Sequence, residues 1–136
     1  DALSLLNDNS DVTFDDLFYA VFSGTFNKVS NALNRLFWEM SPFQISRIMI
    51  NKIDKINLCK SYVENGTDID KACSYVGIKN FKVAPMFKNI VNKWDNDMIN
   101  KALRVLMEFE KLAKTKNYPL EVAFEYCLFK IASLKK

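Results

Sequence analysis

The stretch "SPFQISRIMINKIDKINLCKSYVENG", Ser41 to Gly66, carries in one run the signals that predict its fold. Ser41 and Gln44 have the spacing of a capping box, in which each side chain accepts a hydrogen bond from the other residue's free backbone N–H. Pro42 stands at the first helical position, where its missing N–H costs nothing. Gly66 can take the left-handed conformation that ends a helix, so we predict one long amphipathic helix. The residues expected on its apolar face are Ile45, Met49, Ile53, Ile56 and Val63.

The same order of start signal, apolar stripe and stop signal occurs upstream of this helix. "TFDD", starting at Thr13, has the spacing of a capping box, and Gly24 is a stop signal, so we predict a helix between them. Thr25 is then expected to cap a second helix. The apolar face of that second helix comprises Phe26, Val29, Leu33, Leu36 and Phe37.

Downstream of Gly66 the pattern continues to the end of the chain. "TDID" at Thr67 predicts a short helix that ends near Gly77, and Pro85, Asp95 and Pro119 each stand at the start of a further helix. The inward residues of these last three helices are predicted to be Phe87, Ile90, Val91 and Trp94; then Ile99, Ala102, Leu103, Leu106, Phe109 and Ala113; then Leu120, Ala123, Phe124, Cys127, Leu128 and Ile131. No stretch sustains the alternation of a strand. We therefore predict an all-α fold, a single helical bundle of about five main helices plus short ones.

The composition excludes several classes of chemistry. A chain of 136 residues is long enough for one domain with a real core. It has no histidine, so the usual general base near neutral pH and the commonest metal ligand are both missing. The three glycines stand alone and form no phosphate-binding loop. We expect no catalysis by this chain, no cofactor and no metal.

The cysteines and the apolar runs bear on the cellular compartment. Cys59, Cys73 and Cys127 lie far apart among apolar neighbours, which is typical of buried thiols in a reducing compartment. No apolar run approaches the ~20 residues that span a bilayer, so we expect no membrane segment. Because the chain begins at Asp1 rather than methionine, we also expect it to be a fragment of a longer protein.

The segment "GTDIDKACSYVGIKNFKVAPMF" has some features of a DNA-reading helix-turn-helix. Cys73 is the small residue of the first helix and Gly77 the glycine of the turn. However, Pro85 belongs in the first turn of the next helix, which leaves Ile78 to Ala84 as a linker longer than the usual three or four residues. The residues that the second helix would present are Lys88, Asn89 and Asn92, with no arginine. A helix-turn-helix DNA-binding protein therefore stays an alternative, as does an unrelated helical adaptor.

The order of these signals resembles the C-terminal domain of the delta subunit of the bacterial DNA polymerase III clamp loader. "DDLFYAVFSGTFNKVSNALNRLFWEMSPFQISRIMINKIDKI" is similar to the opening of that domain. "FKVAPMFKNIVNKW" is similar to its lysine-bearing segment that runs into a tryptophan, and "LAKTKNYPLEVAFEYCLFKIA" to its last turn and helix. The matching residues are Ser41, Pro42 and Arg47, then Lys114, Thr115 and Pro119. Met40 departs from the pattern, because the family usually has glycine there.

This resemblance implies a domain organisation and a set of partners. Residues 12–136 would form the helical collar domain, through which clamp-loader subunits assemble into a ring, and residues 1–11 the end of a preceding ATPase-like lid domain. The implied partners are the delta-prime and tau or gamma subunits. The sliding clamp would be contacted only through the missing N-terminal domain, and DNA only as part of the complex. The implied parent complex is the DNA polymerase III holoenzyme, a DNA-directed DNA polymerase and thus a nucleotidyltransferase, in the bacterial cytoplasm.

Two places on the sequence are candidate contacts with a partner subunit. Arg47 matches the family's arginine, although a local surface ion pair would explain it equally well. The last helix is apolar over a wide arc, because Val122, Tyr126 and Phe129 lie around the side from its inward residues. These residues either meet a neighbouring collar domain, or Tyr126 and Phe129 close the bundle against the early helices. Arg47, Tyr126 and Phe129 are therefore the predicted interface residues.

Overall fold

The chain folds into an all-α bundle, as its sequence predicts. The computed structural model describes the backbone of residues 2–115 and 119–134, and side chains from residue 13 onward within those ranges. These ranges contain seven helices and no strand. The helices are α1 (Ala2–Ser23), α2 (Phe26–Leu36), α3 (Pro42–Glu64), α4 (Ile69–Tyr75), α5 (Ala84–Lys93), α6 (Asn96–Ala113) and α7 (Leu120–Leu134).

The long helix α3 organises one side of the bundle and α1 the other. Helix α3 packs against α4, α5, α6 and α7, whereas α1 packs against α2, α7 and α5. Helix α7 also contacts α2 and α6, so it joins the two sides. Among the described residues, no helix combines the length and the apolar character needed to cross a bilayer.

The start of α3 confirms the predicted capping box. The backbone N–H of Gln44 donates to Ser41 Oγ at 3.2 Å, and the backbone N–H of Ser41 donates to Gln44 Oε1 at 2.9 Å. Pro42 opens the helix directly after the cap, and Gly66, with a φ of 97°, follows its end. The predicted cap of α6 is also confirmed, since Asp95 Oδ1 accepts from the backbone N–H of Met98 at 2.8 Å.

Two other predicted helix starts are wrong. Thr13 lies inside α1, which begins at Ala2, so "TFDD" does not start a helix. The expected division between residues 11 and 12 also falls within this continuous helix. At α4 the capping residue is Asp68 rather than Thr67, and its carboxylate accepts from the backbone N–H of Asp70 at 3.2 Å. Thr25 does stand at the start of α2, but its side chain makes no capping hydrogen bond.

The predicted apolar faces form the core, with few exceptions. In α3, α5, α6 and α7 every predicted inward residue is at least half-buried. In α2 the exception is Phe26, which is 48% exposed because it stands at the first position of its helix. The other predicted residues of α2 are buried or half-buried.

A single tryptophan ties three helices together in the core. Trp94 is fully buried directly after α5, with its ring centroid 4.6 Å from that of Phe22 in α1. Its indole N–H donates to the backbone carbonyl of Phe22 at 3.0 Å. Lys60 of α3 donates to the carbonyls of Trp94 at 2.8 Å and Val91 at 3.0 Å. A cation therefore lies at the C-terminal end of α5, where the helix dipole favours positive charge.

Candidate protein-binding surfaces

The outer side of α7 exposes an apolar stripe. Val122 is 68% exposed and Tyr126 is 64% exposed, and Phe129, one turn further on, is half-buried. The ring of Phe129 lies edge-on to that of Phe26, with the centroids 5.7 Å apart. We call these four residues the α7 face. Lys130 places its ammonium 5.7 Å from the ring centroid of Tyr126, where a cation and an aromatic face attract.

The structure separates the two aromatic residues that the sequence grouped together. Phe129 closes the bundle against the start of α2, because it packs on Phe26 and on the core. Tyr126 remains exposed and is available to a partner. The two alternatives for the last helix therefore each describe one of its aromatic residues.

Arg47 lies on the solvent side of α3, apart from the α7 face. Its side chain is exposed, beside the partly exposed Ile48. Within the part of the chain that the structure describes, Arg47 forms no ion pair. No ring contact or hydrogen bond joins it to Tyr126 or Phe129. The three predicted interface residues are therefore not brought into one site.

The α4–α5 region differs from a DNA-reading motif in its linker and its charges. Helix α4 ends at Tyr75 and α5 begins at Ala84, so the long linker is confirmed with boundaries shifted by a few residues. Lys88 of α5 forms an ion pair with Asp70 of α4, which opposes its use as a phosphate contact. Lys82 is exposed in the linker. The inner residues of α5 are buried against α3 and α4, as in an ordinary bundle helix.

A cleft between α1, α2 and α5 was not predicted from the sequence. Its volume is about 490 Å³, within the range of clefts that hold ligands. The small side chains of Ala20 and Ala32 line it on the apolar side, while Lys28, Asn31 and Arg35 line it on α2. Only the facing alanines of α1 and α2 could have indicated it, and alanine is common in packed helices.

The acidic residues of the cleft are partly neutralised by the protein itself. Asp15 Oδ1 lies 2.8 Å from Lys52 Nζ, and this pair is largely buried. Asp16 lies 3.8 Å from Arg35, with both side chains more than half exposed, so solvent screens that pair. Tyr19 also lines the cleft. Burial, together with the charge of Asp15, raises the pKa of Tyr19, and its hydroxyl has no hydrogen-bond partner among the described residues.

All three cysteines are buried free thiols, as predicted. Cys59 of α3 and Cys73 of α4 place their sulfurs 3.9 Å apart. Burial raises the pKa of Cys59 to about 12, helped by the neighbouring Cys73, and burial also raises the pKa values of Cys73 and Cys127. Such thiols are neutral and unreactive at physiological pH. In residues 2–115 and 119–134, no group of three or more cysteine and acidic side chains is placed to hold a metal ion.

Comparisons with protein-family models, curated proteins and solved structures found no match to this chain. The arguments for its function therefore rest on its own sequence and surfaces.

Proposed function

We propose that this chain is a non-catalytic assembly domain, the collar of a clamp-loader delta subunit in the bacterial DNA polymerase III holoenzyme. The observation that carries the proposal is the exposed apolar stripe on α7. Val122 and Tyr126 project from a helix whose opposite side is already buried, so the stripe adds nothing to the core. Exposed apolar residues grouped on one helix are typical of a protein-binding surface.

The resemblance in the order of sequence motifs supports the identity of the partners. Under this proposal the α7 face packs on the collar domain of a delta-prime, tau or gamma subunit in the bacterial cytoplasm. Tyrosine suits such a contact, because its ring supplies a large apolar area and few rotamers are lost on binding. The domain would contribute to clamp loading by holding the ring together, without chemistry of its own.

The proposal is tested by reconstituting the complex from purified subunits. The chain is mixed with the delta-prime and tau or gamma subunits encoded in the same genome, and complexes are measured by size-exclusion chromatography with light scattering. We expect a complex that Tyr126→Ala weakens at least about tenfold, the loss typical of an interface anchor. Tyr75→Ala is the matched control, because Tyr75 is 63% exposed on α4, away from α7. It should leave the complex unchanged.

The rival functions give different outcomes in the same laboratory. A helix-turn-helix protein would bind duplex DNA with an affinity that falls steeply with salt, and would not join the subunits. An unrelated adaptor would do neither. Either result, or equal effects of the two tyrosine substitutions on assembly, would contradict the proposal.

A further inference from the structure

The cleft between α1, α2 and α5 has a defined pattern of charge. The Asp15–Lys52 pair cancels internally, and Lys52 lies a further 5.8 Å from the ring centroid of Tyr19, which holds its ammonium in place. Asp16 offsets only one of the two cations on α2, at 3.8 Å from Arg35. Lys28 forms no ion pair with any described residue. The rim of the cleft therefore carries an excess of one positive charge.

The spacing of the cations indicates the shape of what they bind. Lys28, Asn31 and Arg35 follow one another at three- and four-residue steps, so they form one ridge of α2. Two turns separate Lys28 from Arg35, which is about 10 Å along the helix axis. A small anion cannot reach both cations at that distance, but a peptide with two carboxylates can. Asn31 between them and Asn89 of α5 across the cleft offer amide donors and acceptors.

The interior of the cleft provides the apolar part of the site. Ala20 and Ala32 leave room between the helices, and Ile90 and Trp94 supply further apolar surface. A volume of about 490 Å³ accommodates a few side chains of an incoming segment. A groove between helices, with apolar surface inside and charge along one rim, is the arrangement that takes up an amphipathic peptide.

We propose that this cleft is a docking site for an acidic, apolar-anchored segment of another protein. The apolar side chains of that segment pack on Ala20, Ala32 and Ile90, and two of its carboxylates face Lys28 and Arg35. The site uses different residues from the α7 face, so it stands whether or not the chain is a collar domain.

The test selects peptides without assuming their sequence. A displayed library of random 12-residue peptides is selected on the intact chain, and enriched peptides are resynthesised with a fluorescent label for anisotropy titrations. We expect the enriched sequences to combine acidic and apolar residues. Their binding should weaken as salt rises, because both the ridge and the peptide are charged.

Charge reversal locates the binding site. The double substitution of Lys28→Glu and Arg35→Glu should weaken binding at least about tenfold, since both residues are exposed and their replacement leaves the fold intact. Lys71→Glu is the matched control, an exposed lysine on α4 outside the cleft, and should bind as the wild type does. Thermal melting of each variant checks the fold.

Several results would overturn the proposal. Failure to enrich any peptide, enrichment of neutral or basic sequences, or equal weakening by Lys71→Glu would each exclude an acidic segment in this cleft. Binding of 8-anilinonaphthalene-1-sulfonate that depends on Lys28 and Arg35, without peptide binding, would assign the cleft to small amphipathic anions instead.

Discussion

Phe129 and Tyr126 lie three residues apart on α7 and meet different surroundings. The ring of Phe129 packs on Phe26 and on the core, whereas Tyr126 is 64% exposed. The sequence showed that both lie outside the main inward face. It could not show which one is covered, because the covering ring belongs to α2, far away along the chain.

At the scale of these residues, aspartate substitutions should have unequal effects on stability. Phe129→Asp places a carboxylate against a half-buried aromatic contact and should lower the free energy of unfolding by about 2 kcal/mol or more. Tyr126→Asp exchanges one exposed side chain for another and should change it by less than about 0.5 kcal/mol. Urea denaturation followed by circular dichroism measures both. Equal losses would mean that the two side chains share one environment.

At the scale of elements, capping chemistry predicted some helix starts and failed at others. Ser41 succeeded because its box is followed by Pro42, and both residues favour a helix start at the same position. Thr13 has the same box spacing inside a helix that began eleven residues earlier, where the backbone N–H groups already bond to the preceding turn. Thr67 lost its role to Asp68, whose carboxylate is a stronger acceptor. A two-residue signal cannot show what precedes it in three dimensions.

The cap of α3 should be measurable in the stability of the whole bundle. Ser41→Ala removes the acceptor of the Gln44 N–H and should lower the free energy of unfolding by about 1 kcal/mol. Thr67→Ala is the control for this prediction. Thr67 does not cap α4, so its loss should cost clearly less than the loss of Ser41. Chemical denaturation of the two variants decides, and a larger loss for Thr67→Ala would refute the assignment of the caps.

At the scale of the whole molecule, the sequence predicted the class of fold but not the spaces between its helices. Periodicity assigns each side chain to a face of its own helix, and most of the core followed from that. The cleft depends on how α1, α2 and α5 are placed relative to one another. Ala20 and Ala32 would look the same in sequence if those helices had packed more closely.

The buried thiols and Tyr19 make the stability of the whole fold depend on alkaline pH. Their pKa values are raised in the folded state, so the unfolded chain loses protons first as the pH rises. Stability should be constant below about pH 8 and fall above about pH 9, by about 1 kcal/mol per pH unit for one such thiol. Denaturation midpoints between pH 7 and pH 11 measure the slope. Cys59→Ala should make the slope shallower, and an unchanged slope would contradict this account.

The neighbouring thiols of Cys59 and Cys73 also make α4 a natural reporter of its own fluctuations. Neither sulfur is open to solvent while α4 lies on α3, and both are neutral near physiological pH. A thiol reagent can therefore reach them only during the moments when α4 separates from α3. The labelling rate is then the fraction of time spent open multiplied by the rate of an exposed thiol. Cys127 supplies the same clock for α7, so local opening in two parts of the bundle can be timed without introducing a single new residue.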